Sequence, residues 1–260
     1  MHLFSYWTGP ITWMERLSVA SALATGHSLT IFTHDVSAIG GLGLGCGVIH
    51  AAEILNDDPE LDRLRAIHAA HYADHFRAEG IATGVGTWVD LDVVFLKTLP
   101  DDAHLFGWEN ADSINGAVLR LPRGPLLSDY LAVLRKRPMP YNVPWLPLRT
   151  RVRRQVKRVT RALQGRRPPA PVLGPATLTH LIRKHKLEGA AQPQEVFYAI
   201  APSKDVLQRL VEEGFIEKLI APSTIALHLS GSYFRKIHGL DAPTTGWLKK
   251  QMTAMGLRAD

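Results

Sequence analysis

The chain has 260 residues, of which 46% are apolar and 21% are charged, a composition typical of soluble globular proteins. Its single cysteine, Cys46, excludes an intramolecular disulfide and a thiolate zinc site. Because the N-terminus does not resemble a secretory signal and no run of about 18 apolar residues occurs, we expect a cytoplasmic protein.

The first predicted elements indicate an α/β fold. Residues 2–7 predict a strand, residues 15–25 carry apolar side chains at helical spacing, and residues 28–33 predict a second strand. A strand–helix–strand unit of this size favours a mainly parallel sheet flanked by helices. Residues 40–47 contain five glycines but lack the spacing of a phosphate-binding loop, so we interpret them as an ordinary flexible loop.

A helix is predicted over residues 62–80. His71 and His75 stand four residues apart, which suits zinc, but no Glu follows the first histidine as the H-E-x-x-H pattern requires. We therefore favour a structural or solvent-facing histidine pair. Asp74 and Arg77 share one face of the helix. They form either a surface ion pair or part of a site, since this helix leads directly into the next strand.

Residues 88–95 form an apolar stretch that carries two carboxylates, Asp90 and Asp92. On an extended chain both side chains would point to the same face, and two oxygen ligands on one face suit Mg²⁺ or Mn²⁺. The alternative is that the strand ends at Asp90 and both acids lie in a turn. Because D-x-D is a common tripeptide, metal binding depends on the flanking sequence.

The rest of the chain adds further strands and helices. Strands are predicted over residues 104–108, 114–121, 197–198 and 224–229, the last of which carries His228. Helices are predicted over residues 126–137, 175–185, 204–213 and 247–255. We expect a single domain over residues 1–260, interrupted by a basic helical insertion at about 148–168.

The basic insertion accounts for the positive net charge of +6. Residues 149–167 contain nine of the 30 Lys and Arg and no acid, which leaves 21 basic against 24 acidic residues elsewhere. Val152, Val156, Val159 and Leu163 fall at helical spacing and predict an amphipathic helix. Such a helix fits either the surface of an anionic membrane or a solvated insertion. Nucleic-acid binding is not expected, because no aromatic residues interleave with the arginines.

Taken together, these landmarks resemble glycosyltransferases with a D-x-D sugar-binding region, which include the α-1,4-galactosyltransferase-like and mannosyltransferase-like enzymes. The resemblance extends from Trp7 to about His228. The matching segments are Tyr6-Trp7-Thr8-Gly9, Asp74-His75-Phe76-Arg77, Trp88-Val89-Asp90-Leu91-Asp92, Ile114-Asn115-Gly116-Ala117, Gly174-Pro175, Phe197-Tyr198 and Ala226-Leu227-His228.

The resemblance implies a GT-A-like fold and a metal-dependent transferase that retains the configuration of the sugar. By its motifs, Trp7 would stack on the nucleotide base, Asp74 and Arg77 would hold the donor sugar and phosphate, and Asn115 would lie beside the sugar. Asp90, Asp92 and His228 would form the site for Mn²⁺ or Mg²⁺. Asp92 would bind the metal directly, and Asp90 would act through the ribose or a metal-bound water. His228 would be a further ligand or a contact of the diphosphate, and its alternative is a core histidine with a structural role. The implied donor is a nucleotide sugar, a UDP-hexose by expectation, and the implied acceptor is a glycan or a lipid-linked sugar.

Three positions depart from the family pattern. Ala73 replaces the serine before Asp74, Val85 replaces one glycine of a pair, and Ser230 stands where a tryptophan is usual. Two other function classes compete with the transferase. A nucleotidyltransferase also uses paired acids, but its glycine-rich loop after the first strand is missing here. A non-catalytic membrane-surface adaptor would have no reason to keep acids in an apolar strand.

Overall fold

The computed structural model describes residues 1–41, 43–56, 58–166 and 169–257. Arg167 and Pro168, at the end of the predicted basic insertion, therefore lie outside the described residues. In chain order the strands are β1 (His2–Tyr6), β2 (Ser28–Thr33), β3 (Gly47–His50), β4 (Thr87–Val89), β5 (Val93–Phe95), β6 (Leu105–Asn110), β7 (Ser113–Arg120) and β8 (Ala226–His228).

The helices alternate with these strands in the first half of the chain and dominate the second half. They are α1 (Trp13–Ala24), α2 (Val36–Gly40), α3 (Pro59–Ile67), α4 (Ala69–Thr83), α5 (Pro125–Leu134), α6 (Leu148–Leu163), α7 (Pro175–Lys184), α8 (Gln194–Phe197), α9 (Lys204–Arg209), α10 (Gly231–His238) and α11 (Gly246–Ala254). No helix in the described part of the chain is both long and apolar enough to cross a bilayer.

The predicted α/β fold with a mainly parallel sheet is confirmed. Within the described residues, six strands form a sheet in the order β3-β2-β1-β4-β7-β6. The pairs β1–β2, β2–β3 and β1–β4 are parallel, whereas β7 runs antiparallel to both β4 and β6. A separate antiparallel pair joins β5 to β8 and sets Val93 opposite His228.

Helices cover both faces of the sheet because successive side chains of a strand point to opposite sides. Phe4 of β1 belongs to an apolar cluster with Phe76 of α4 and Leu178 of α7. Its neighbour Leu3 belongs to a second cluster, which includes Val19 of α1. A third cluster packs α1, α10 and α11 against the β5–β8 pair. The C-terminal helices thus hold the small sheet beside the large one.

Three expectations about local structure were wrong. The helix over residues 62–80 is two helices, α3 and α4, which meet at His68. The strand over residues 88–95 is interrupted between Val89 and Val93. Residues 197–198 end a short helix, α8, and form no strand. In the first two cases a polar residue or a turn interrupts an apolar pattern whose period alone does not show the break.

Candidate active site

A cleft of about 670 Å³ opens at the C-terminal ends of β1 and β4. Strand β1 has β2 on one side and β4 on the other. In open α/β sheets, ligands bind where the strand order changes direction in this way. All seven residues predicted from the sequence line this cleft: Trp7, Asp74, Arg77, Asp90, Asp92, Asn115 and His228. The fold therefore brings together positions that are up to 221 residues apart along the chain.

A turn, not a strand, aims the two acids at the cleft. The amide of Asp90 still donates to the carbonyl of Ala117 on β7, at 2.8 Å. The chain then bends, and the amide of Val93 donates back to the carbonyl of Asp90 at 3.2 Å. Asp is favoured at the first position of such a turn. The alternative in which the acids lie in a turn is therefore right about the backbone, and both carboxylates still face the cleft.

Asp90, Asp92 and His228 each offer a ligand atom, and these atoms all lie within 4.8 Å of one another. His228 reaches the acids because β8 pairs with β5, the strand that follows the turn. One carboxylate oxygen of Asp92, Oδ2, accepts a hydrogen bond of 2.6 Å from the amide of Gly231. Its other oxygen, Oδ1, is buried without a hydrogen-bond partner. Two carboxylates and an imidazole fit a divalent cation such as Mn²⁺ or Mg²⁺.

The charges of this cluster depend strongly on one another. Burial, opposed by the Arg77 charge and reinforced by the nearby Asp92 carboxylate, raises the pKa of Asp90. Burial also acts against the charged form of Asp92, but the His228 charge and the Gly231 amide hold the pKa of Asp92 below its usual value. Burial alone would lower the pKa of His228, yet the carboxylates of Asp92 and Asp90 raise it to about 9. The cluster therefore attracts positive charge.

Asp74 and Arg77 form a buried ion pair at the edge of the cleft, not a surface pair. The Nη2 atom of Arg77 lies 2.5 Å from Oδ1 of Asp74, and the two side chains are 9% and 5% exposed. The Nη1 atom donates to the carbonyl of Gly116 at 2.7 Å, and the guanidinium lies 5.3 Å above the ring of Trp88. A Cβ at Gly116 would lie 2.6 Å from Nη1. Only glycine at this position leaves room for Arg77.

Of the two histidines of α4, His71 lies at the cleft and His75 lies in the core. His71 lines the cleft and its Nδ1 lies 3.1 Å from Oδ2 of Asp74. His75 is 1% exposed and lies in the interior. The two rings therefore do not act as a pair of zinc ligands. The expected structural role fits His75, whereas His71 steadies the carboxylate of Asp74.

Asn115 is held on both sides of its amide group. Its Nδ2 donates to Oε1 of Glu109 at 2.8 Å, and its Oδ1 accepts from the amide of Ala117 at 2.9 Å. The hydroxyl of Tyr198 donates to the carbonyl of Asn115 at 3.1 Å. The short helix α8 thus positions this segment of β7 through Tyr198, and the carboxylate of Glu109 joins the lining of the cleft.

Trp7 lies half-buried at the other end of the cleft. Its indole nitrogen donates to the carbonyl of Pro10 at 3.2 Å, and the guanidinium of Arg235 lies 5.7 Å from its ring centre. Arg235 also forms an ion pair with Glu15 of α1, which is fully buried. An aromatic face beside a guanidinium can accept a flat, negatively charged group.

Sequence reasoning missed the contribution of α10. Ser230, Ser232, Tyr233 and Arg235 all line the cleft, and none of them was a predicted site residue. Ser230 has a φ of 52°, a backbone conformation that is uncommon outside glycine, just where the chain leaves β8. The available signal was their position directly after the strand that carries His228.

Comparisons with known proteins leave the function open. No family model matches the sequence, and no curated protein matches it. Among solved structures, the chain is similar to a protein described as "PaToxG Glycosyltransferase", with 13% identity, a TM-score of 0.46, and coverage of 92% of this chain and 84% of that chain. The side chains of the cleft are therefore the basis for assigning a function.

Proposed function

We propose that this protein is a glycosyltransferase that uses a divalent metal, Mn²⁺ or Mg²⁺, to move a hexose from a nucleotide sugar, a UDP-hexose, to a glycan or lipid-linked acceptor. The observation that carries the proposal is the cluster of Asp90, Asp92 and His228 at the strand ends, whose ligand atoms all lie within 4.8 Å of one another. The D-x-D resemblance of the sequence points to the same chemistry. The ion pair of Asp74 and Arg77 supports it from the edge of the same cleft.

Transfer of a sugar requires a nucleoside diphosphate to depart while negative charge grows on it. Asp90, Asp92 and His228 would hold the divalent cation, which when bound neutralises that charge as a Lewis acid. Trp7 offers a half-buried aromatic ring in the cleft for the nucleotide base. Arg235, 5.7 Å from that ring, offers charged donors toward the neighbouring phosphate.

The opposite end of the cleft suits the sugar. Oδ1 of Asp74 is bound by Arg77 and Oδ2 by His71, so the carboxylate is fixed in place. A carboxylate has about four lone-pair sites, so it can still accept bonds from sugar hydroxyls and orient them. Arg77 lies beneath Asp74 with little exposure. Its role in this proposal is to hold the carboxylate of Asp74 in place and to add positive charge near the phosphate.

Sugar transfer that retains the configuration of the sugar can use a nucleophile of the enzyme or do without one. A retaining glycosidase uses a carboxylate close beneath the sugar. Glu109 is a carboxylate in the cleft, but its Oε1 is bound by Asn115. We favour a front-face transfer, in which the leaving phosphate deprotonates the acceptor hydroxyl. Glu109→Gln then lowers the rate only partly, and no glycosyl–enzyme adduct is found by mass spectrometry.

The direct test is a binding screen of nucleotide sugars in the presence of Mn²⁺. We expect one donor to bind the wild-type protein with metal-dependent affinity, and Asp92→Asn to lose that binding. The matched control is Asp241→Asn, an exposed acid outside the cleft, which should bind as the wild type does. Tight metal-dependent binding that survives Asp92→Asn would refute the metal site and with it the proposed mechanism.

A further inference from the structure

Helix α6 rests on the body of the protein through its basic side. The guanidinium of Arg154 donates to the carbonyl of Tyr141 at 2.8 Å and to that of Ala170 at 2.5 Å. The guanidinium of Arg158 lies 5.3 Å from the ring centre of Tyr141. No residue of α6 is buried. Polar contacts made by arginines therefore attach this helix, whereas globular proteins usually attach an amphipathic helix by its apolar side.

The apolar side of α6 faces solvent. We call it the apolar stripe, and its exposed fractions are 71% for Leu148, 55% for Val152, 58% for Val156, 51% for Val159 and 83% for Leu163. At about 100° per residue, these five positions fall within an arc of about 80°. Arg154, which anchors the helix, lies about 160° from the middle of that arc. The stripe therefore points almost directly away from the protein along a helix of about 24 Å.

Charge flanks the apolar stripe. Seven of the 16 residues of α6 are Arg or Lys and none is acidic. Arg149, Arg153 and Lys157 are exposed, and helical geometry places them in a row beside the stripe. A surface that combines apolar side chains with basic groups matches the interface of a bilayer, where acyl chains lie beneath anionic headgroups.

We propose that this face of α6 binds the surface of a bilayer that contains anionic lipid. A second copy of the protein or a nucleic acid would match only one of the two features of this face, its apolar stripe or its positive charge. A second copy of α6 would bring two sets of seven positive charges together. A nucleic acid would pair with the charges but leave the apolar stripe in water, and α6 has no aromatic residue to stack on bases. An anionic bilayer takes up both features at once.

The bilayer would then lie near the sugar end of the cleft. Ala170, which binds Arg154, is four residues before Gly174, and four residues span at most about 14 Å. A Cβ at Gly174 would lie 3.0 Å from Oδ2 of Asp74, and Pro175 lines the cleft. Binding at the bilayer does not depend on the proposed function. If that function also holds, this placement favours a lipid-linked acceptor.

The test is co-sedimentation of the full-length protein with vesicles. Vesicles of phosphatidylcholine alone are compared with vesicles of phosphatidylcholine and phosphatidylglycerol. We expect sedimentation with the anionic vesicles only, and a loss of binding as salt is raised. A stripe variant, with Val152, Val156 and Val159 changed to Gln, and a charge variant, with Arg149, Arg153 and Lys157 changed to Gln, should each lose binding by at least about tenfold.

A matched control removes the same charge elsewhere. Arg63, Lys186 and Lys218 are exposed and lie outside α6, so their triple change to Gln should sediment with the anionic vesicles much as the wild type does. Equal binding to both kinds of vesicle, or a stripe variant that binds like the wild type, overturns the proposal. So does dimerisation that the stripe variant abolishes, or RNA binding that the charge variant abolishes, while no vesicle binding occurs. Nucleotide-sugar binding by the same variants shows separately whether the cleft is active.

Discussion

The Oδ1 atom of Asp92 lies 3.4 Å from Nε2 of His228, yet no hydrogen bond satisfies that oxygen. The other oxygen of Asp92 is bound by the amide of Gly231. Buried polar atoms without partners are rare in folded proteins and often mark functional sites. The side chains of His228 and Asp92 are 12% and 19% exposed, and both residues line the cleft.

This pair leads to a prediction about stability. Mn²⁺ should raise the unfolding midpoint of the wild-type protein, because a ligand that binds only the folded state stabilises it by about 2.7 kcal/mol at 100 times its Kd. Asp92→Asn should lose most of that increase while keeping the fold, since the amide oxygen can still accept from Gly231. Thermal unfolding with and without MnCl₂ measures the effect. Asp241→Asn is the control, and an equal shift in Asp92→Asn would contradict the prediction.

The sequence predicted that Asp90 and Asp92 lie together, but not the backbone conformation that brings them together. The D-x-D pattern led to an extended strand with both carboxylates on one face, and the structure has a turn closed by the amide of Val93. An extended strand and a turn both bring Asp90 and Asp92 together, so the D-x-D tripeptide does not distinguish the two backbone conformations. The α/β class and the β1–α1–β2 unit were predictable, because local periodicity determines them.

Other parts of the cleft depend on contacts that no local pattern records. The spacing of Asp74 and Arg77 predicted a shared helix face, but their burial depends on the packing of α4 against β7 at Gly116. Arg235 meets Glu15, 220 residues away in the chain. That contact requires the packing of α10 against α1, and only the tertiary structure supplies it.

Gly116 should tolerate no side chain. In Gly116→Ala the new Cβ would lie 2.6 Å from Nη1 of Arg77, so the guanidinium must move and lose its bond to the carbonyl of residue 116. A hydrogen bond to a charged group contributes about 1.5–3 kcal/mol, and we expect a loss of that size in urea unfolding. Gly189→Ala is the control, because its added Cβ meets no atom within 4 Å. Equal stability of the two variants would contradict this prediction and would show that the Arg77 side chain can adopt another conformation without loss of stability.

His75 should make the protein sensitive to acid. Burial lowers the pKa of His75, and the charge of Arg137 lowers it further, against smaller opposing effects of the Leu134 backbone, Glu79 and Asp74. The unfolded chain has the ordinary histidine pKa of 6.5. Below that pH the unfolded state binds more protons than the folded state, so stability falls as the pH drops below about 6.5.

The change that tests this titration is His75→Gln. Chemical unfolding at about pH 7.5 and about pH 5.5 gives the slope of stability with pH. We expect His75→Gln to be less stable than the wild type at the higher pH but to have a flatter slope. Leu181→Ala, in the apolar cluster that contains Phe76, the neighbour of His75, is a control that lowers stability without removing a titrating group and should keep the wild-type slope. An unchanged slope in His75→Gln would assign the acid sensitivity to other groups.

The ion pair of Arg235 and Glu15 should couple the two ends of the chain. Glu15 is fully buried, and one of its oxygens, Oε2, accepts bonds from the amide and hydroxyl of Thr12. Its other oxygen, Oε1, is paired with Arg235. Arg235→Gln would leave that oxygen buried without a cation, whereas Glu15→Gln together with Arg235→Gln removes both charges. Residues in contact show coupling energies of about 0.5–3 kcal/mol, and because Arg235 is 24% exposed we expect a value near the middle of that range.

Urea unfolding of the wild type, both single variants and the double variant measures this coupling without metal or donor. Additive effects would contradict the prediction and would mean that Glu15 stabilises α1 through Thr12 alone.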